Sequence, residues 1–219
     1  MSATPMTENN IFHKESIQQK KMESYYRFQS KIYDLTRWSF LFGRKEILDR
    51  IPKLNKNATI LEVGCGTGYN LKNLLGRFPQ VSLTGIDISA TMLEKAARKI
   101  KSSSRLTLTN EAYGAVHSNT QKEQVDVILF SYTLSMINPH WPSLIDQAKE
   151  NLKPGGYIAL VDFENSKFKW FKKHMANNHV RMDGHIVPYL EKQFRLVECE
   201  TKNAYAGVWS YFMYIGQKI

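Results

Sequence analysis

The chain has 219 residues, 42% of them apolar and 23% charged, which suits one globular unit with a sizeable core and excludes a fibrous or disordered class. No apolar run approaches the roughly 20 residues that cross a bilayer. The start, MSATPMTENN, lacks the basic end and apolar centre of a secretory signal, and two cysteines make no disulfide framework.

These features predict a cytoplasmic protein, while 30 Lys and Arg against 20 Asp and Glu leave it at +10. That charge favours polyanionic neighbours, either nucleic acid or the anionic inner face of a membrane. Residues 1–12 read as a flexible tail and 13–219 as a single domain. Its first part, 13–52, is a helical cap, broken near Gly43 and stopped by Pro52. Within the cap, residues 25–44 (YYRFQSKIYDLTRWSFLFGR) hold seven aromatic and four basic side chains.

Residues 58–163 form the expected core. ATILEVGCG (58–66) is a β-branched apolar run ending in glycines, the pattern of a buried parallel strand entering a tight turn. A helix follows over 69–77, then a strand over 81–89 and a second helix over 90–101. Further strands are expected at 106–109, at 125–132 (VDVILFSY) and at 156–163 (GYIALVDF), with a helix at 142–152 between the last two. This alternation predicts a Rossmann-like α/β fold with a mostly parallel open sheet and ligands at the strands' carboxyl ends. Residues 164–219 supply a substrate-side segment and two antiparallel edge strands, 194–201 and 208–218.

The turn EVGCGTG carries Gly64, Gly66 and Gly68, a GxGxG spacing in which the third glycine comes one residue earlier than in a dinucleotide-binding turn. Glu62, beside that turn, suits a cationic ligand better than a phosphate, such as the amino group or sulfonium of S-adenosylmethionine. Asp87 closes the second strand nineteen residues after Gly68, where a carboxylate accepts from ribose hydroxyls, and Ile88 would pack on the adenine.

Together with VDVILF and with LKPGG at 152–156, these residues resemble the class I S-adenosylmethionine-dependent methyltransferases. The resemblance implies S-adenosyl-L-methionine as cofactor, S-adenosyl-L-homocysteine as product, and no metal. It counts Glu62, Gly64, Cys65, Gly66, Gly68, Asp87, Ile88 and Ser131 among the cofactor contacts. Glu111 falls near the expected adenine amine, although a solvated loop glutamate fits equally well.

The acceptor is harder to read. The segment after the fourth strand, Ser131-Tyr132-Thr133-Leu134, lacks the Asn/Asp-Pro-Pro-aromatic motif of enzymes acting on planar amides. Cys65 in the cofactor turn and Cys199 in a late strand do not fit a 5-methylcytosine nucleophile. No Cys/His cluster stands at metal-ligand spacing. The flanks 25–44, 177–185 (NNHVRMDGH) and 204–212 (AYAGVWSYF) are similar to the N-methyltransferases of betaine-lipid synthesis, which methylate diacylglycerylhomoserine three times.

That likeness implies a lipid head-group amine as substrate. Tyr25, Tyr26, Tyr33 and Trp38 would supply aromatic faces for a quaternary ammonium, worth about 0.5–2 kcal/mol each, or would pack the cap on the sheet. Arg181 would pair with the homoserine carboxylate. His179 and His185 are candidate bases, and Tyr132 would orient the amine. KFKWFKKH (167–174) mixes basic and aromatic residues as interfacial segments do, with Phe168, Phe171 and Met175 expected on one side and Trp170 on the other. Other acceptors, a phospholipid amine or a quinone-like molecule, fit the same cofactor half. A non-catalytic nucleic-acid-binding role is disfavoured because acids intersperse the bases and no recognition module is visible. No feature specifies an oligomeric state.

Overall fold

The structure is a computed structural model that describes residues 40–100, 103–114 and 124–219. Seven strands form one sheet in the order β3-β2-β1-β4-β5-β7-β6. They are β1 (Thr59–Val63), β2 (Ser82–Asp87), β3 (Leu106–Asn110), β4 (Val125–Ser131), β5 (Leu152–Asn165), β6 (Arg195–Ala204) and β7 (Trp209–Gln217). Strands β1 to β5 pair in parallel, whereas β7 runs antiparallel to both β5 and β6. This is a Rossmann-like topology, and the antiparallel edge lies where the two last apolar runs predict it.

Six helices connect the strands among the described residues: α1 (Arg44–Arg50), α2 (Tyr69–Arg77), α3 (Ala90–Ile100), α4 (Trp141–Asn151), α5 (Lys169–Asn177) and α6 (Ile186–Gln193). The central strands are apolar on both faces because helices cover both sides, and Val127, Ile128, Leu129 and Phe130 are all fully buried. One core gathers Ile60, Leu71, Leu74, Leu93, Val161 and Trp209 under α1, α2 and α3. The other gathers Leu61, Phe130, Ile145, Leu160 and Leu190 under α4 and α6.

Three local departures from the sequence expectations have physical causes. Strand β5 begins four residues early, at Leu152, because Leu152 pairs with Val125 and the Lys-Pro-Gly-Gly turn bulges before pairing resumes at Val127 with Tyr157. Of the expected cap helix, the described part is α1 alone. It starts at the predicted break, with Gly43 left-handed at φ 73°. In α5 Phe171 and Met175 face the core as expected, but Phe168 precedes the helix and is exposed alongside Trp170 rather than buried with them.

A cluster of charges holds α1 against the antiparallel edge. Arg50 is shared by Glu46 (2.6 Å), Glu198 (2.7 Å) and Glu200, while Lys202 reaches Glu46 and Glu200. Hydrogen bonding to Lys202 and Arg50 holds the Glu46 carboxyl below its ordinary range, so this tie is present above that range and is lost as pH falls through the lowered value. Removing the guanidinium leaves three carboxylates facing one lysine. Arg50→Ala is expected to destabilise the fold by about 1–2 kcal/mol, less than for a fully buried pair because the acids are partly solvated. Urea unfolding at neutral pH measures this, and the difference from wild type should shrink at acid pH.

Candidate functional site

The carboxyl end of β1 meets that of β4 at a point too tight for any side chain. Gly64 has φ 68°, and a Cβ placed there would lie 2.8 Å from both Cγ2 and Oγ1 of Thr133. Gly66 and Gly68 are also left-handed, at 53° and 73°. The chain therefore folds back with its amides turned toward the sheet edge before α2 begins at Tyr69. Asp87, at the end of β2, fastens this turn: Gly66 N–H donates to one carboxylate oxygen at 2.8 Å, and Ser89 N–H to the other at 2.9 Å. A carboxylate fixed at this edge suits a vicinal diol.

A cavity of about 810 Å³ opens at this turn, walled by Leu41, Gly43, Arg44, Glu62, Gly64, Cys65, Gly66, Thr67, Tyr69 and Ser131, with Lys45, Lys95, Arg98 and Lys99 also lining it. Glu62 is 1% exposed. One of its oxygens accepts from Asn70 Nδ2 at 2.6 Å, while the other is buried with no hydrogen-bond partner among the described residues. Burial raises its pKa to about 8, against the opposing pull of Asn70 and the Arg44 charge. A buried carboxyl with an unsatisfied oxygen at a cavity wall is a ready acceptor for an ammonium, so the residues present fit the amino acid portion of S-adenosylmethionine.

Arg44 lies over the Tyr69 ring at 4.2 Å from its centroid, and Lys99 stands 5.8 Å from the same centroid. The cavity thus combines a buried acid with a cationic surround.

The cofactor positions expected from sequence divide among three places. Glu62, Gly64, Cys65, Gly66 and Ser131 line the cavity. Gly68 is buried behind the turn, where a Cβ would lie 2.7 Å from Ile100 Cδ1 and 2.9 Å from Ala96 Cβ of α3. Asp87, Ile88 and Glu111 stand beyond its walls along the same carboxyl edge, with Asp87 opposite Asn110 in the β2–β3 register. Burial pushes the Cys65 thiol up, which suits a packing residue and not a nucleophile.

The acceptor positions fare differently. Tyr26, like Tyr25, Tyr33 and Trp38, lies outside the described residues. Tyr132 is buried with φ 55°, packs edge-on against Phe163, and donates its hydroxyl to the Phe42 carbonyl at 2.8 Å. It anchors the segment leading into α1 rather than facing the cavity. His179 is an exposed left-handed residue ending the turn after α5. Arg181 pairs through Nε with Asp183 at 2.8 Å, so its fork is directed at a neighbour.

His185 Nδ1 also contacts Asp183, and its Nε2 is buried without a hydrogen-bond partner among the described residues. Sequence reasoning missed Arg44, Thr67, Tyr69 and Asn70. It also missed Asp162, fully buried at the end of β5, with a pKa raised by burial to about 6, and its neighbour Glu164, similarly raised. The visible signal was two acids at the end of an otherwise apolar strand, ALVDFE.

The sheet order, the glycine turn and the acids at the ends of β1 and β2 together form the site edge of a Rossmann-like methyltransferase fold. Residues 61–158 match the family model described as a methyltransferase domain. The malonyl-[acyl-carrier protein] O-methyltransferase of Priestia megaterium is 30% identical over 127 residues, 58% of this chain and 44% of that protein. The chain spans about half the length of such curated relatives.

Among solved structures, geranyl diphosphate C-methyltransferase from Streptomyces coelicolor A3(2) superposes with a TM-score of 0.68 at 12% identity, over 80% of this chain and 79% of that one. Phosphoethanolamine N-methyltransferase 2 from Haemonchus contortus gives 0.67 at 14%, over 80% and 52%. At these identities the likeness establishes the shared fold.

Gly64→Ala tests the cavity's tightest point. The substitution strains a left-handed residue and drives a methyl into Thr133, at an expected stability cost of about 1–3 kcal/mol. S-adenosylhomocysteine affinity, read by calorimetry, should fall by more than the roughly tenfold that corresponds to 1.4 kcal/mol.

Proposed function

We propose that this protein is an S-adenosylmethionine-dependent N-methyltransferase acting on a lipid head-group amine, most specifically the amine of diacylglycerylhomoserine, through successive methylations to the trimethyl betaine lipid. The observation that carries the amine reading is the group of carboxyls beside the end of β4. Ser131 pairs with Val161, and Asp162 and Glu164 follow on β5, with Asp183 electrostatically coupled to Glu164. Burial raises the Asp162 and Glu164 carboxyls, and the Asp183 and Asp162 charges add to the shift at Glu164, so an amine brought beside Glu164 would relieve that cost. A carboxylate acceptor would aggravate it.

S-adenosylmethionine supplies an electrophilic methyl group on a sulfonium; the acceptor nitrogen forms the new N–C bond as the S–C bond breaks. The amine must arrive without one proton. His185 is our candidate to receive it, with Asp183 against its Nδ1 and a buried Nε2 that has no hydrogen-bond partner among the described residues. The role assigned to Arg181 on its sequence position passes to Arg44, whose guanidinium lines the cavity and suits the head group's carboxylate. A head group carrying both charges agrees with a site holding acids on one side and bases on the other. Support for an amine acceptor on this fold comes from the phosphoethanolamine N-methyltransferase likeness.

A second reading, O-methylation of a carboxylate, is favoured by the malonyl-[acyl-carrier protein] relative and by Lys45, Lys95, Arg98 and Lys99 around the cavity.

Labelled S-adenosylmethionine with diacylglycerylhomoserine in detergent micelles discriminates the two. The lipid reading expects label in mono-, di- and trimethylated lipid, stable to mild base. Base-labile label, released as methanol from a carboxylate acceptor, favours the second reading. No labelled lipid from protein that binds S-adenosylhomocysteine overturns the first. His185→Gln should lower kcat more than tenfold and leave cofactor affinity unchanged.

A further inference from the structure

Eight large apolar side chains are exposed among the described residues, and they divide by chemistry between the two ends of the sheet. Leu196, Val197 and Ile219 lie at the end where β5 begins, since Arg195 opposes Gln217 and Gln217 opposes Tyr157. The five aromatics, Phe40, Phe42, Phe168, Trp170 and Tyr205, all lie at the other end, which carries the cavity. Chance exposure would scatter such rings singly over the surface.

Two small clusters make up this aromatic rim. In the first, Phe40 and Phe42 bracket Tyr205 of the β6–β7 turn, with ring centroids 6.1 and 5.5 Å away. Leu41, between the two phenylalanines, lines the cavity. In the second, Phe168 and Trp170 stand 6.2 Å apart where the chain leaves β5 for α5, with exposures of 44% and 65%.

Ser166 joins the two regions. It donates its hydroxyl to the Val208 carbonyl at 2.6 Å and accepts from Phe168 N–H at 3.1 Å. Phe171 and Met175, buried on the opposite side of α5, prevent the helix from rolling to hide Trp170. The outward aromatics are thus held there by the core.

Charge names the occupant. Lys167, Lys169, Lys172 and Lys173 surround Phe168 and Trp170, and among the described residues no carboxylate pairs with any of them. Bases that pack no acid beside exposed rings match an anionic lipid surface, where rings insert at the head-group level and lysines meet the phosphates. An apolar self-interface would instead bring eight such lysines together at a two-fold axis.

We infer that the aromatic and lysine rim at the carboxyl edge is a docking surface for an anionic bilayer, seating the cavity mouth at the head-group layer. The inference rests on the lipid-acceptor reading for what is delivered to the cavity, but the docking itself is measured without turnover.

The test is flotation of the full chain with vesicles of phosphatidylcholine, alone or mixed with phosphatidylglycerol. Binding is expected only to the mixed vesicles, to be released by high salt, and to fall roughly tenfold in Phe168→Ser/Trp170→Ser and again in Lys169→Glu/Lys173→Glu. Brominated lipid should quench part of the tryptophan emission, and Trp170→Phe should remove that part. Both double variants should keep S-adenosylhomocysteine affinity, which shows that they fold.

Equal partition onto neutral vesicles, binding unaffected by either double variant, or self-association that the aromatic variant abolishes would each overturn the proposal. Vesicle binding without labelled lipid in micelles would retain the docking surface and remove the lipid acceptor. Labelled lipid in micelles without vesicle binding would do the reverse.

Discussion

A carboxyl group buried at the end of β1 sets the terms for everything around it. Glu62 has almost no contact with solvent, and only one of its oxygens is satisfied, by Asn70. An ionised carboxylate in such a place is costly unless a cation stands beside it. The Arg44 charge and the Asn70 hydrogen bond give partial relief, and burial still raises the carboxyl to about 8. Raised well above its unfolded value, it favours the folded state most at low pH, and that contribution fades as pH rises through about 8. A cationic ligand reverses this by rewarding the ionised form.

The neighbouring elements make sense as supports for that acid. The glycine turn must approach β4 closely enough that Thr133 touches Gly64, which leaves backbone and not side chains facing the ligand. Asp87 spends one lone pair of each oxygen on the amides of Gly66 and Ser89, so the second strand's acid is positioned by the first strand's turn. Helix α1 closes the cavity from the other side. Its Arg44 is held at the cavity because Arg50, one helix length away, is clamped by acids of α1 and β6. Tyr132 contributes from below, its hydroxyl on the Phe42 carbonyl.

Much of this was legible in the chain itself. A buried parallel strand followed by close-set glycines and a helix leaves few alternatives, and the position of Asp87 follows from the spacing alone. Long, mostly apolar runs marked β4 and β7 because their burial is two-sided. What the sequence concealed depends on contacts between distant segments. Arg44 reads as an ordinary basic residue until α1 folds over Tyr69.

Arg181 and His185 read as free functional groups, whereas a two-residue spacing in an irregular loop places both on Asp183. Tyr132 was expected to face the acceptor, but its left-handed backbone turns the ring into the core. Asp162 and Glu164 went unremarked because an acid at a strand end is common. Their significance comes from burial and from Asp183, which approaches across an isolated bridge to Asn165.

The central claim is that Glu62 is held protonated for a cationic cofactor to ionise. Calorimetry of S-adenosylmethionine binding in buffers of different ionisation enthalpy tests it most directly, with Glu62→Gln as the reference. The account predicts that wild type releases close to one proton more than Glu62→Gln near neutral pH, and that its affinity alone rises with pH until it levels near 8. Equal proton exchange and parallel pH profiles for the two proteins would contradict it.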